Sequence, residues 1–252
     1  MKKNYVYIPG AFILFVAVWE LIALAGGWNE ALFPTPYKTA LGFGELIHDG
    51  VLLQDIIDSL IRFIIGYVTA VVCGVFLGLF LGWYKTAWGF VNPIVQVLRP
   101  ISPTAWLPFI VLIFGIGEMP ALVVIFIAAF FPVLLSTVSA VNSIEPVYLK
   151  VARNFGIKQP ALLFKIILPA VFPRIATGFH LAMGTAWVFL VVGEMVGAQT
   201  GLGFLVVDMR NNLRMDLLMV AILVIGVIGL WLDWTISLFE GWIYKRWGIK
   251  RV

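Results

Sequence analysis

Residues 63–84 have the sequence FIIGYVTAVVCGVFLGLFLGWY, which contains no charged side chain. A bilayer core of about 30 Å requires about 20 apolar residues in a helix, and this stretch meets that length. Its four glycines are Gly66, Gly74, Gly78 and Gly82, of which the last three recur at every fourth position. Because small residues at that spacing let two helix backbones approach closely, we predict a transmembrane helix that packs through its glycines.

The remainder of the chain also has the composition of a membrane protein. Of its 252 residues 62% are hydrophobic and 12% are charged, whereas soluble domains are about 45–50% apolar and about 25% charged. The net charge of +4 comes from Lys and Arg residues that are dispersed at the ends of segments and form no basic face. This distribution argues against a protein that binds nucleic acid. The single cysteine, Cys73, cannot build a disulfide framework or a thiolate metal site within one chain. We expect one transmembrane domain over residues 1–252, surrounded by lipid.

Apolar runs of spanning length occur repeatedly along the sequence. The third run contains several prolines, which remove backbone donors, so we predict a short or broken span there. The first run resembles a signal peptide with a cleavage site at residues 23–25, but its length and Glu20 favour a retained helix. The six predicted spans are 5–26, 63–84, 100–117, 119–141, 175–198 and 217–239.

The distribution of basic residues predicts the orientation. With both termini on the cytoplasmic side, only Lys38, Arg62, Arg210 and Arg214 lie outside, and the positive-inside rule favours that arrangement strongly. Residues 142–174 then form one long cytoplasmic loop. The outer loop 27–62 has apolar residues at helical spacing over 40–57, which indicates an interfacial helix.

The cytoplasmic loop has the sequence signals of two short helices. Pro146 suits the first turn of one helix, and Gly156 suits the left-handed position that follows its end. Pro160 suits the start of a second helix, and Pro169 disfavours helical geometry at the residue before it. Helices this short need packing against the membrane domain or against a partner. From the local signals alone, a hairpin that merely caps the bundle is an equal alternative.

The loop also resembles the cytoplasmic signature of binding-protein-dependent ABC importer permeases. That signature is Glu-Ala-Ala, three residues, Gly, nine residues, Ile, one residue, Leu-Pro. All of its spacings occur here, with Lys and Val in place of the first Glu and Ala. The five matching positions are Ala152, Gly156, Ile166, Leu168 and Pro169, and Lys150 and Val151 occupy the two positions that differ.

The resemblance extends over about residues 55–240. Residues 99–108 (RPISPTAWLP) and 114–118 (FGIGE) are similar to the third-span region of the nitrate, sulfonate and taurine branch, which also includes bicarbonate permeases. Residues 193–195 (GEM) and 201–204 (GLGF) are similar to the same branch.

This resemblance implies a type I ABC importer (MetI-like) permease fold in a bacterial inner membrane. Two copies would form the pathway for a small, anionic solute of the sulfonate, taurine, nitrate or bicarbonate class. An extracytoplasmic binding protein would deliver the solute, and two copies of a separate ATPase would hold ATP and Mg, so this chain would bind no cofactor. The ATPase-coupling residues would be Lys150, Val151, Ala152, Arg153, Gly156, Ile166, Leu168 and Pro169.

Polar and aromatic residues within spans are the other candidates, because charges in a membrane are expensive. Glu194 is interpreted as a gate or a helix–helix contact, with a carboxylate that reaches the outer interface as the alternative. Trp106 is predicted to line the pathway or to pack in the bundle. Asp233, between two tryptophans, is interpreted as an interfacial anchor and His180 as a structural or interfacial residue. Glu20 would pair with another span or reach the outer interface.

The sequence offers no catalytic motif. It lacks a Gly-Lys-Ser/Thr phosphate loop, a His-Glu-x-x-His pair and a Gly-x-Ser-x-Gly elbow, so we expect no catalytic and no metal-binding residues. The alternative function is a secondary transporter driven by an ion gradient. Such a protein would more naturally show internal repeats and midplane ion ligands.

Overall fold

The structure is a computed structural model that describes residues 4–27, 32–144, 147, 154–157, 161–162 and 166–247. Within these ranges the regular structure is helical. A 3₁₀ turn, Pro103–Trp106, lies between the fourth and fifth helices. The helices are α1 (Asn4–Ala25), α2 (Pro36–His48), α3 (Val51–Trp83), α4 (Lys85–Leu98), α5 (Leu107–Phe114), α6 (Glu118–Asn142), α7 (Leu168–Gly197), α8 (Leu202–Asn211) and α9 (Met215–Trp247).

Four of these helices, α3, α6, α7 and α9, are long and apolar enough to cross a membrane. The segment from Lys85 to Phe114 is bent by 83° at a break and forms a fifth candidate span. This break confirms the prediction of an interrupted third span. In α1 the apolar part with described side chains, Gly10–Ala25, is shorter than the other spans. The all-helical membrane fold is confirmed, and the count of six spans is approximate.

The segment before the second span, predicted as an outer loop, differs from the prediction. The expected interfacial helix over 40–57 is two elements, because Gly50 takes a left-handed conformation with φ +74° and separates α2 from α3. The α3 helix begins at Val51, twelve residues before the predicted span. Arg62, which the charge distribution placed in an outer loop, therefore lies inside α3 and is 3% exposed. The prediction was wrong because a charged residue was taken as the boundary of the helix.

The start of α7 is a second correction. Pro169 was expected to end the second loop helix, and the span was expected to begin at residue 175. Instead α7 begins at Leu168, with Pro169 in its first turn. Proline is well accepted there because the first turn has no carbonyl partner for its backbone nitrogen.

The glycines of α3 pack against α6, as the sequence predicts. A Cβ atom added to Gly66 would lie 2.8 Å from Ile125 Cγ2, and one added to Gly74 would lie 2.9 Å from Val133 Cγ1. Gly78 faces Thr137 in the same way, and Gly82 faces Val141. Each step along α3 is matched by an equal step in the same direction along α6, so the two helices are parallel. Parallel neighbours require the intervening segment to cross back through the membrane.

The α7 helix packs against α6 in the opposite direction. Gly178 meets Ser136 near the end of α6, whereas Gly193 meets Ala121 near its beginning. The amide of Gly117 also donates to the carbonyl of Gly197 at 2.7 Å. The second part of α9 is antiparallel to α7, because Gly229 lies against Trp187 and Asp233 lies near His180.

The contacts divide the chain into two compact units, residues 1–59 with 200–227 and residues 60–199 with 228–252. In the first unit, the Trp19 indole donates to the Pro34 carbonyl at 3.1 Å. The Asp55 carboxylate accepts from the Gly201 amide, and the Ser59 hydroxyl oxygen accepts from the Leu202 amide, both at 2.8 Å. The first backbone N–H groups of a helix have no hydrogen-bond acceptor within that helix. These two hydrogen bonds supply acceptors for the N–H groups at the start of α8.

The second unit has its core around α6. One cluster joins α4 to α6 through Val95, Leu134 and Val138. Another joins α5 to α6 through Leu107, Ile110 and Val124. The α6 helix thus contacts α3, α4, α5 and α7, and it is the central helix of this unit.

We expect Gly78→Ala to destabilise the protein, because the added methyl group would lie 2.5 Å from Thr137 Cβ. Overpacking of this kind costs about 1–3 kcal/mol. Gly184→Ala is the matched control, since a Cβ atom added to Gly184 has no neighbour within 4 Å. The measurement is the thermal unfolding midpoint of each full-length variant in detergent. Equal midpoints for the two variants would contradict the close packing of α3 on α6.

Candidate functional site

In the loop that the sequence predicts to be cytoplasmic, the structure describes the turn between the two predicted helices. Gly156 has φ +67°, the left-handed conformation that the sequence predicts for it. A Cβ atom added to Gly156 would have no neighbour within 4 Å, and Phe155 beside it is 79% exposed. Lys150, Val151, Ala152 and Arg153 lie outside the described residues. The contact of this loop with an ATPase stays a prediction.

The second half of the signature joins the loop directly to a span. Ile166 and Ile167 form a wide helical turn that continues into α7 at Leu168 and Pro169. Ile167 is 1% exposed and is therefore anchored in the core. The loop and α7 are continuous helix from Ile166 onward, so a displacement of this end of the loop acts on α7 without an intervening flexible segment.

Glu194 is buried inside the second unit, where it contacts Arg62. Its side chain is 0% exposed, and Oε1 accepts a hydrogen bond from Arg62 Nη1 at 2.9 Å. The carboxylate therefore does not reach the surface of the described chain, and this contradicts the alternative of an interfacial carboxylate. The contact joins α3 to α7. Of the two roles that the sequence suggested for Glu194, a gate and a helix–helix contact, the structure shows the helix–helix contact. Its role as a gate stays a prediction.

A second carboxylate lies at the edge of the same pair. Glu118 Oε1 is 3.7 Å from Arg62 Nη2, and its side chain is 73% exposed. Arg62 is thus placed between a buried carboxylate and an exposed one at the start of α6. Because a buried charge is tolerated only when it is paired, Glu194 and Arg62 depend on each other. Sequence reasoning missed Arg62, since nothing local identifies a partner 132 positions away.

Trp106 lies at the end of the 3₁₀ turn and packs against the cluster of Leu107, Ile110 and Val124. This contact matches the packing alternative. A role for Trp106 in lining the pathway stays a prediction.

His180 lies between two carboxylates of α9. Its Nδ1 is 3.1 Å from Asp233 Oδ1, and its Nε2 is 3.0 Å from Glu240 Oε2. A neutral imidazole has only one N–H donor, so hydrogen bonds at both nitrogens require a further proton on the ring or on a carboxyl group. Asp233 was interpreted as an interfacial anchor, whereas the structure pairs it with His180. Glu240, which is 5% exposed, was not identified from the sequence.

In the first unit, Arg214 forms an exposed ion-pair cluster. Its guanidinium donates to both carboxylate oxygens of Glu45, at 3.0 and 2.6 Å, and to Asp216 at 2.9 Å. The Asp216 and Glu45 carboxylates raise the pKa of the Arg214 guanidinium by accepting these hydrogen bonds. The side chains of Arg214 and Glu45 are 41% and 45% exposed, so this cluster contrasts with the buried pair of Arg62 and Glu194.

The buried pair leads to a prediction that a double-mutant cycle tests. Arg62→Met or Glu194→Gln alone should each destabilise the chain by about 3–5 kcal/mol, because each leaves one buried charge without its partner. The double variant should lose less than the sum of the two. Glu45→Gln is the control, since losing an exposed pair costs about 0–1 kcal/mol. Unfolding midpoints in detergent provide the comparison, and strictly additive losses would show that the two side chains are not coupled.

Comparisons with known proteins address the identity of the chain. Residues 70–247 match the family described as "Binding-protein-dependent transport system inner membrane component". A solved structure of the MetNI methionine ABC transporter in inward-facing conformations has the same fold. It superposes with a TM-score of 0.55 at 19% identity, covering 77% of this chain and 92% of that one.

Three relatives cover most of the chain. A protein of Methanocaldococcus jannaschii named an ABC transporter permease protein is 34% identical over 87% of this chain and 84% of its own length. A Bacillus subtilis protein named an aliphatic sulfonates transport permease protein is 30% identical over 97% and 89%. The taurine transport system permease protein of Escherichia coli is 31% identical over 89% and 83%. The resemblance seen in the loop is confirmed, and the chain belongs to the family of binding-protein-dependent transport system inner membrane components.

Proposed function

We propose that this chain is the permease subunit of an ABC importer, and that two copies form the pathway for a small anionic solute. The observation that carries the proposal is the family match, which extends over residues 70–247 and includes the coupling loop. One of the relatives is named as a permease for aliphatic sulfonates and another as a permease for taurine. Both kinds of solute carry an anionic sulfonate group. Nitrate and bicarbonate complete the solute class expected from the sequence.

The proposed energy source is ATP that a separate ATPase subunit hydrolyses with Mg. Support comes from the signature spacing in the loop and from the left-handed turn at Gly156. Two ATPase subunits would bind the loops of the two permeases, and an extracytoplasmic binding protein would deliver the solute. The permease itself would bind no cofactor and would catalyse no reaction. The continuity of the loop with α7 supports transmission of ATPase movement to a span.

The proposed orientation has both termini in the cytoplasm of a bacterial cell with the chain in its inner membrane. The excess of Lys and Arg on that side supports this orientation.

The experiment that tests the proposed function is co-purification followed by transport. The tagged full-length permease is expressed with the ATPase and binding protein encoded beside it, and its complex is reconstituted in liposomes. We expect the ATPase to co-purify, and we expect solute uptake to require ATP and the binding protein. Uptake by the permease alone, driven by a proton or sodium gradient, would instead establish the secondary-transporter alternative.

Variants of Gly156 test the coupling loop. Gly156→Val should reduce ATP-driven uptake at least about tenfold, because a left-handed backbone costs most residues about 1–2 kcal/mol and a β-branched residue more. Gly156→Asn is the matched control and should retain most of the uptake, since asparagine tolerates that conformation.

A third variant separates backbone strain from contact with the partner. A side chain at Gly156 meets no atom within 4 Å in the described chain. A greater loss of ATPase co-purification with Gly156→Trp than with Gly156→Val would therefore indicate a steric clash with the ATPase. Full co-purification and uptake for all three variants would contradict the role of this loop.

A further inference from the structure

The second unit contains a cavity of about 1040 Å³ to which no role has yet been assigned. It is bounded by one face of α4, by residues 101 and 103, by the second half of α6 and by the middle of α7. Cavities of about 300–1,000 Å³ are the size range that binds small molecules. The volume is therefore ample for a solute of the class proposed above.

The described residues that line the cavity contribute a positive charge. Arg99 is the one ionised side chain among the described lining residues, none of which is Asp or Glu. Within the described residues the Arg99 side chain has neither a hydrogen-bond partner nor an ion-pair partner. The guanidinium presents several donors in a planar fork that matches the oxygens of carboxylate-like and phosphate-like anions. A cation in such a lining attracts anions and repels cations.

Amide groups add uncharged donors to the same lining. Asn92 and Gln96 lie on the face of α4 that also carries Arg99, because these positions are spaced by four and three residues. Gln96 Nε2 donates to Asn92 Oδ1 at 3.2 Å, so the Asn92 oxygen is occupied and its N–H groups remain to donate. Asn142 of α6 contributes a further amide. These donors suit an anion with several oxygens better than a spherical ion.

Most of the remaining lining is apolar or aromatic, and it also includes four hydroxyl side chains, those of Ser136, Ser139, Ser143 and Thr185. Trp88, Phe131 and Phe189 each border the cavity. Burial of an aliphatic group against such surfaces makes binding more favourable. The same surfaces contribute nothing to the binding free energy of a bare inorganic anion. The lining therefore combines one cation, several amide donors and an apolar wall, which is the complement of a small organic anion.

We propose that this cavity binds small aliphatic sulfonates, with Arg99 as the cationic contact for the sulfonate oxygens. The assignment rests on the proposed function, because it names the solute class of that same permease. It distinguishes aliphatic sulfonates from nitrate and bicarbonate, which lack an apolar part. Arg62, which is paired with Glu194, does not take part.

The test measures access to the cavity in the full-length permease in detergent. Cys73→Ser removes the native thiol, and Ser139→Cys places a reporter thiol at an exposed position in the lining. The reporter is labelled with two methanethiosulfonates, one carrying a sulfonatoethyl group and one a trimethylammonioethyl group. Gly89→Cys, in the same Cys73→Ser background, is the control reporter, because Gly89 lies exposed on α4 outside the lining.

Arg99→Gln should lower the ratio of anionic to cationic labelling at the Ser139→Cys reporter about tenfold, whereas Arg99→Lys should keep it. A unit charge a few ångströms away changes each rate by a few-fold in water, in opposite directions for the two reagents. The ratio at the Gly89→Cys reporter should not change, because ten helical residues separate it from Arg99 by about 15 Å. A ratio that is independent of residue 99 would overturn the proposal.

Protection by ligand provides the second measurement. Ethanesulfonate should slow labelling at the Ser139→Cys reporter in a saturable way, and nitrate at equal ionic strength should not. The protection should be lost in Arg99→Gln and retained in Arg99→Lys, and retained protection shows that a chain substituted at this position folds. Equal protection by nitrate, no protection at all, or undiminished protection in Arg99→Gln would each overturn the proposal.

The same preparations separate this proposal from the proposed function. If the ATPase co-purifies but ethanesulfonate gives no protection, the cavity assignment fails while the importer assignment stands. If ethanesulfonate protects through Arg99 but no ATPase binds, the importer assignment fails and the cavity remains a sulfonate site.

Discussion

The close parallel packing of α3 on α6 is the contact on which the second unit depends. In a bilayer, lipid chains are as apolar as leucine, so apolar side chains alone give helices little reason to associate. Four glycines remove the side chains from one face of α3, and the facing residues of α6 enter that space. The parallel direction then forces the proline-rich segment between the two helices to return across the membrane. The crossing of this segment follows from the constraint, whereas its bend is explained by its prolines.

Features that depend on neighbouring residues were predictable from the sequence. The apolar runs gave the approximate positions of the long spans, because a membrane requires a minimum apolar length. The glycine spacing gave the packing face of α3, and the residues around Gly156 gave its left-handed conformation. Each of these three features depends on local geometry or on the solvent, and none of them requires knowledge of a distant partner.

Features that depend on distant partners were not predictable. Arg62 counted as an outer-loop residue because an unpaired arginine belongs outside a span, and its partner Glu194 lies in a helix five elements later. Glu240 and Asp233 likewise acquire their significance only beside His180. Pro169 was misassigned for another reason. Proline occurs both after the end of a helix and in the first turn of one. Which of the two occurs depends on how the residues after the proline pack against the rest of the protein.

The α7 helix is the element that connects the loop to the cavity. It begins at Leu168, at the end of the signature, and farther along it borders the cavity through Leu181, Thr185 and Phe189. Thr185 also donates to the Ala128 carbonyl of α6 at 3.3 Å, so the two walls of the cavity are in direct contact. Because packed helices move as rigid bodies and do not deform continuously, a shift at the loop end of α7 would be carried along the helix to this wall. The end of the loop and one wall of the cavity are thus two parts of the same helix.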